Sequence, residues 1–249
     1  MYTGFIFPEA STKQGTFISA SEAIGDLKKA DTNAGFSISR VVYRDFINNL
    51  FNNSKAVKEE KLENHEKRSH GFDVKARFRL YQVINEFKNG NKKSAFDIIT
   101  GKEVDNVHKE KLFEELRNYN LFFKNGNSGG DYKKLETVDQ VDSYIASITT
   151  KKHSQRALKE DEPAPAQLTI PDDICHYDME QLRTLTVREM ARLQSFPDWF
   201  TFRSKVTTGG GNRKFEVPQY TQVGNAVPPL LAKALGEVVI NILKEVADN

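Results

Sequence analysis

Arg183-Thr-Leu-Thr-Val-Arg-Glu-Met-Ala-Arg-Leu-Gln-Ser-Phe-Pro-Asp-Trp-Phe200 and Gln219-Tyr-Thr-Gln-Val-Gly-Asn-Ala-Val-Pro-Pro-Leu-Leu-Ala232 are the two stretches on which the reading of this chain turns. In the first, Thr186 and Glu189 stand at capping-box spacing: the threonine hydroxyl takes the Glu189 backbone N–H, and the glutamate reaches back to the Thr186 N–H. Met190, Ala191 and Leu193 give the helix that follows an apolar face. Arg188 and Arg192, four apart, share a side and leave it charged. Pro197 stops the helix at Phe196. Nothing in this stretch is catalytic by residue type; it reads as a well-specified packing helix. In the second, Val217–Val223 reads as a strand or extended approach and Gly224–Val227 as a turn. Pro228 and Pro229 open a helix where a missing N–H costs little. Leu230, Leu231, Ala234, Leu235, Val238, Val239, Ile242, Leu243 and Val246 then form a wide apolar stripe. Such a face needs a large cover, most simply a β-sheet.

Composition sets bounds around these stretches. The 249 residues can bury a core in one large or two small domains. Hydrophobic content is 38%, low for a compact globule, which fits a large wet surface or a missing partner. Net charge is only +2, so any nucleic-acid footprint is local. The single cysteine, Cys175, excludes an internal disulfide and fits a reducing compartment. The expectation is a soluble, cytoplasmic protein without a signal segment, and without an apolar run near the roughly 20 residues that span a bilayer.

Gly4–Pro8 reads as a short strand and Ser19–Leu27 as a short helix capped by Ser19 or Ser21. These thirty residues need a sheet to join. A helix follows over residues 40 to 52, with Val42, Phe46, Ile47, Leu50 and Phe51 on one face. In the next helix, which Asp73 is placed to cap, Val74, Phe78, Tyr81, Ile84 and Phe87 form the buried stripe, with Lys75, Arg79 and Gln82 opposite. Arg68, Lys75, Arg77 and Arg79 belong to the densest basic cluster, with aromatics interleaved. They suit DNA phosphates; a solvated helix face is the other reading. His65 and His70 lack metal-ligand spacing, so no metal is expected. A helix is read over Lys109–Tyr119, through Leu112, Phe113 and Leu116, and a short one through Val138–Ile148. Leu121–Phe123 is read as a strand before a plain glycine-rich turn, and Leu168–Ile170 as a short strand.

Both opening stretches resemble the last two signature motifs, the ninth and tenth, of the DNA (cytosine-5)-methyltransferases. The Glu22-Ala-Ile-Gly-Asp-Leu27 helix resembles the segment after the eighth motif. Asn64-His-Glu-Lys-Arg-Ser-His70 resembles the start of a target-recognition region. The resemblance implies that Thr186, Arg188, Glu189 and Arg192 form a scaffold for that region. It also implies that Asn225 and Ala226 lie at the S-adenosylmethionine. The family activates cytosine by adding a cysteine thiolate, from a Pro-Cys motif, to a flipped-out base. Here Cys175 follows Ile174, and the sequence holds no Phe-x-Gly-x-Gly or Glu-Asn-Val motif. No catalytic residue is therefore assigned.

The fold class implied is α/β: the C-terminal part of a Rossmann-like S-adenosylmethionine-dependent methyltransferase with a mixed α+β target-recognition domain. Residues 1–30 would belong to the catalytic domain and 31–200 to the recognition domain, with 201–223 a hinge and 224–249 a helix returning to the catalytic domain. The function implied is recognition of a specific double-stranded DNA sequence and completion of a shared cofactor site. A partner chain would carry the catalytic cysteine, and the pair would protect host DNA in a restriction-modification system. The alternative is a non-catalytic DNA-binding or assembly protein, or an inactive fragment.

Overall fold

A computed structural model describes residues 7–9, 12, 16–29, 38–50, 62–87, 91–125, 129–152, 154–167, 169, 174–207 and 215–248. The strands read at Gly4–Pro8 and Leu168–Ile170 and the Thr207–Asn212 connector lie mostly outside these residues; Phe7, Pro8 and Thr169, which are described, are not in strands. In chain order the elements are α1 (Ala20–Ile24) with a 3-10 turn (Gly25–Lys29), α2 (Ile38–Asn49), α3 (Phe72–Asn85), α4 (Lys92–Ile99), α5 (Asn106–Leu116), β1 (Leu121–Asn125), β2 (Gly129–Lys133), α6 (Asp139–Ser147), β3 (Arg156–Ala157), β4 (Ile174–Cys175), α7 (Val187–Leu193), α8 (Gln219–Asn225) and α9 (Pro229–Ala247). They fall into two compact units. The first comprises residues 1–66, 161–170 and 186–249; the second comprises 67–160 and 171–185. Among the described residues the sheets are two-stranded, one antiparallel (β1–β2) and one parallel (β3–β4), so the chain is a mixed helix and strand structure with no broad parallel sheet.

The second unit is built around α3. Gly71, not Asp73, is its N-cap residue, and no side chain caps it. From Phe78 to Ile84 every residue is buried, so the helix is enclosed on all sides rather than along one stripe. That enclosure corrects the expectation of a wet face at Arg79 and Gln82, and it follows from what those side chains hold. Gln82 Nε2 donates to the carbonyls of His176 (2.9 Å) and Asp178 (2.8 Å). Arg79 Nε donates to Asn120 O at 2.7 Å, and Arg77 Nε to Ile148 O at 2.8 Å. Irregular segments leave carbonyls without ladder partners, and buried ones must be satisfied; α3 supplies the donors. Its apolar residues meet Leu112, Leu116, Leu121, Val141 and Ile145 in one core. Tyr144 reaches through that core to donate to Ala76 O and Phe122 O, each at 3.3 Å. The hairpin pairs Leu121 with Lys133 through to Asn125 with Gly129.

In the first unit, the Ser19 capping box with Glu22 starts α1. Tyr43 and Ile47 are the buried positions of α2, while Val42 and Phe46, read as part of its apolar face, are 60% and 51% exposed. Residues 219–225 are helical where an extended segment was expected: Pro218 sits at the N-cap, and the helix runs through Gly224 to Asn225. No residue of α9 is buried. Leu231, Val239, Ile240, Leu243 and Val246 all lie open, Leu243 at 61%. An 18-residue window of Gln219–Ala247 reaches a mean hydropathy of 1.5 with none of it covered, so by length and composition alone it qualifies to cross a membrane. This corrects the expectation that no run approaches that length. Alanine and the wide stripe raise the average, with Lys233 and Glu237 the only charges between Pro228 and Leu243.

The hairpin makes a steric demand. A Cβ on Gly130 would run into the Phe122 ring. Gly130→Ala is expected to lower the stability of the chain by about 1–3 kcal/mol through overpacking, read as a lower thermal midpoint, whereas Gly71→Ala, with open space at its Cβ, is expected to change it far less.

Candidate functional site

The helix α7 is fixed at both ends. Glu189 N–H donates to Thr186 Oγ1 at 3.2 Å, and Thr186 N–H donates to Glu189 Oε2 at 2.7 Å, closing the capping box. His65 steadies it: Nε2 lies 2.9 Å from Leu27 O, which can only accept, and in the neutral ring Nδ1 then accepts from the Thr186 hydroxyl at 2.9 Å. The helix stops before Pro197 exerts any effect. Ser195 takes φ +65°, its N–H donates to Arg192 O, and Phe196 N–H donates to Ala191 O, which is a Schellman closure with serine in the left-handed place. The Ser195 hydroxyl then accepts the Leu230 N–H at 3.1 Å, attaching the start of α9.

Arg188 and Arg192 carry the charge expected of their side of the helix, but that side is buried. They are 0% and 2% exposed. Arg192 Nε and Nη2 each donate to Asp198 at 2.8 Å in a two-pronged pair, and Nη1 donates to Asp26. Arg188 serves carbonyls: Glu63 O at 3.0 Å, Pro197 O at 3.0 Å and Phe200 O at 2.6 Å. Burial pushes the Arg188 guanidinium down to about 10, still protonated at neutral pH. Burial would lower Arg192 too, but Asp198 and then Asp26 outweigh it and hold the guanidinium above its usual value. The Asp198 carboxyl, which burial alone would raise, is held below the usual carboxylate range by Arg192. Tyr43 donates its hydroxyl to Arg192 O at 2.9 Å, and Asn48 Oδ1 accepts the Asp198 N–H at 2.7 Å, so α2 joins the same knot.

Asn64, also left-handed at φ +65°, is a second organiser. Its amide donates to Phe202 O and Gln219 Oε1 at 2.9 and 3.0 Å, and its Oδ1 accepts the Phe202 N–H at 2.9 Å. Sequence reasoning passed over Asp26, Asn48, Asn64 and Ser195. Their partners lie up to 166 positions away, and no local pattern announces them.

Asn225 is the last residue of α8, in helical rather than left-handed conformation, and is exposed beside a half-buried Ala226. Among the described residues its amide has no partner, so both its donor and acceptor remain open to a polar ligand. The basic segment is divided. Arg77 and Arg79 are directed at the carbonyls that they hold, and burial lowers the Arg79 pKa. Arg68 is half-buried, and the Lys75 ammonium has no partner among the described residues. Cys175 is wholly buried, its sulfur 4.0 Å from Phe78 O, and burial pushes its thiol far up. Apolar burial of this kind suits a structural thiol rather than a reactive one.

The model of the C-5 cytosine-specific DNA methylase family matches residues 24–241. The chain belongs to that family. The Type II methyltransferase M.AquIB of Picosynechococcus is similar to it, 35% identical over 117 residues, which are 47% of this chain and 84% of that relative. The Type II methyltransferase M1.HphI of Haemophilus parahaemolyticus is 51% identical over 69 residues, 28% of this chain and 15% of the relative. M.AplI of Arthrospira platensis is 56% identical over 57 residues, 23% and 14% respectively. The chain thus spans a small part of the length of M1.HphI and M.AplI, but most of M.AquIB. The family's methyl donor is S-adenosylmethionine, and its substrate is DNA.

The Arg192–Asp198 pair carries a pH signature. Because the folded carboxyl binds its proton less readily than the unfolded one, the unfolded chain holds more protons as pH falls below about 4. The pair's contribution is complete above that value and lost as pH drops through the folded pKa. Asp198→Asn is expected to remove this acid-side loss from a pH series of melting curves. At pH 7 it should lower stability by about 3–5 kcal/mol, the cost of leaving Arg192 buried with an incomplete partner set.

Proposed function

We propose that this chain is the sequence-recognising and cofactor-site-completing part of a DNA cytosine-5 methyltransferase, acting with a separate chain that carries the catalytic cysteine. The assembled enzyme would transfer a methyl group from S-adenosylmethionine to C5 of cytosine in a specific DNA sequence. Host protection beside a restriction endonuclease is the biological setting that follows, since the relatives are Type II methyltransferases.

The observation that carries this reading is α9. A 19-residue helix with a continuous apolar face and no buried residue calls for a cover, and the sheet of a catalytic domain is a cover of the right kind. M.AquIB supports the division into chains: 117 matched residues already make up 84% of it, so a methyltransferase relative of this chain is itself shorter than this chain. Cys175, deep in the second unit, leaves the attack on the base to the partner.

Within that assembly Asn225 and Ala226 would form one wall of the S-adenosylmethionine site, and the cofactor would supply the methyl group. The open amide of Asn225 fits a ligand with both donors and acceptors, and small Ala226 leaves room beside it. Docking of α9 would bring that wall into place, because Asn225 lies four residues before the helix begins. The α7 knot of Thr186, Arg188, Glu189 and Arg192 would hold the first unit rigid while the second unit, with Arg68, Lys75, Arg77 and Arg79 on its basic segment, meets DNA. Lys75 is the member open to a phosphate; Arg77 and Arg79 shape the surface from behind. A non-catalytic DNA-binding or assembly protein is the alternative.

Co-expression with the chain encoded alongside that holds the cysteine and cofactor motifs is expected to give a stable complex that methylates cytosine, while this chain alone neither methylates nor binds S-adenosylmethionine. A complex that forms but leaves every cytosine unmethylated refutes the proposal. In the active pair, Asn225→Ala is expected to raise the KM for S-adenosylmethionine roughly tenfold, the worth of one good hydrogen bond, with DNA affinity unchanged. Loss of DNA affinity instead would take Asn225 out of the cofactor wall.

A further inference from the structure

We propose that the cleft bounded by the first turn of α3, the β1–β2 hairpin and the Glu180–Arg183 loop is where a nucleotide of the target duplex is read, with Tyr132 against a base and Lys75 on a neighbouring phosphate. This deepens the recognition role proposed above and rests on it. The cleft holds about 330 Å³, the small end of the range for ligand sites and enough for a nucleobase.

Three features distinguish it from ordinary surface. The first is a large aromatic ring that is exposed yet immobilised. Tyr132 is 50% exposed. The guanidinium carbon of Arg79 lies 5.5 Å from its ring centroid, and the Phe122 ring meets it edge-on at 5.2 Å. Arg79 is itself pinned to Asn120 O, and Phe122 stacks on Phe72 at 6.4 Å. A ring fixed before binding loses little entropy when a base edge comes to lie against it, and the phenol hydroxyl can donate to or accept from that edge. The second is charge. Lys75 lines the cleft and, among the described residues, has no ion-pair or hydrogen-bond partner for its ammonium. Lys133 follows Tyr132 directly and is exposed. The third is a rim of groups that discriminate base edges. Gln181 Oε1 accepts from Arg183 Nε at 2.9 Å, which sets the amide and turns its N–H donors elsewhere. Glu180 adds an exposed carboxylate. Amide donors and carboxylate acceptors are the side-chain groups that tell base pairs apart. Arg77 and Arg79, by contrast, are engaged by the carbonyls of Ile148 and Asn120.

The test is selection from a pool of duplexes with a randomised centre, using the full 249-residue chain. The wild type is expected to enrich a defined motif. Tyr132→Leu, checked for an unchanged melting temperature, is expected to keep the overall salt dependence but lose roughly tenfold or more of the preference at one base pair. Lys75→Gln is expected to weaken all sequences alike and to reduce the slope of log affinity against log salt by about one. Lys93→Gln, on the α4–α5 groove of the same unit, is expected to change neither. If folded Tyr132→Leu enriches the wild-type motif with wild-type strength, the cleft is not the reader. If the wild type itself enriches nothing, the recognition role falls, and this inference with it.

Discussion

The buried Arg192–Asp198 pair is the constraint on which the first unit depends. Removing two charges from water costs several kcal/mol each, and their attraction repays that cost only with good geometry and every remaining polar atom satisfied. Both conditions are met. The guanidinium faces Asp198 in a parallel fork and turns its last nitrogen to Asp26. Asp198 in turn donates its backbone N–H to Asn48 Oδ1 and accepts from Asn48 Nδ2. Because no member tolerates displacement, the 3-10 turn after α1, the helix α2, the helix α7 and the loop after it are brought into one arrangement. Such a pair is weak evidence for stability but strong evidence for specification, since a shifted α7 would leave a naked charge in the interior.

Arg188 does the same with neutral partners. Residues 196–202 have no ladder to join, and their carbonyls at Pro197 and Phe200 point inward. One guanidinium satisfies both, while the rings of Phe196, Phe200 and Phe202 pack against one another at centroid distances of 5.0–5.2 Å. In the second unit α3 plays the corresponding part. Arg77, Arg79, Gln82 and Asn85 reach from one helix to carbonyls on four separate segments. Among the described residues the sheets are only two strands wide, so side chains carry the backbone satisfaction that a larger sheet would supply.

That division explains what the sequence disclosed. Local chemistry was legible: the Thr186–Glu189 box, the Ser19 cap, the Pro228–Pro229 helix start and the strand at Leu121–Phe123 all depend on residues within a few positions. Periodicity showed that Arg188 and Arg192 share a face. It could not say whether the face is wet, because the answer lies in Asp26, Glu63 and Asn64, more than 120 positions away. For the same reason Arg79 and Gln82 read as solvent-facing when they are buried. The segment 219–225 misled because Val217-Pro218 favours extended backbone, yet proline at an N-cap is compatible with a helix beyond it. Asn225 could be singled out only by resemblance, and the Tyr132 cleft not at all, since it joins three segments that only the fold brings together.

The uncovered face of α9 is the remaining asymmetry, and its physics favours a protein cover over a lipid one. Leu231, Val239, Ile240, Leu243 and Val246 each keep about half their surface in water or more. Full burial of such a side chain is worth about 1.5–3 kcal/mol, so covering what remains open would yield several kcal/mol in total, ample to hold a docked helix in place. A bilayer core would demand the same of the opposite side. There Lys233 and Glu237 pair across one turn, with Lys244 and Glu245 beyond. Carrying that charged edge through hydrocarbon costs about 2.5–3.5 kcal/mol per residue at the centre, whereas against a sheet it stays in solvent at no cost. One-sided apolarity is the pattern of a helix lying on a protein surface, and the first turn of α9, tied by Ser195 to the end of α7, sets where that surface must begin.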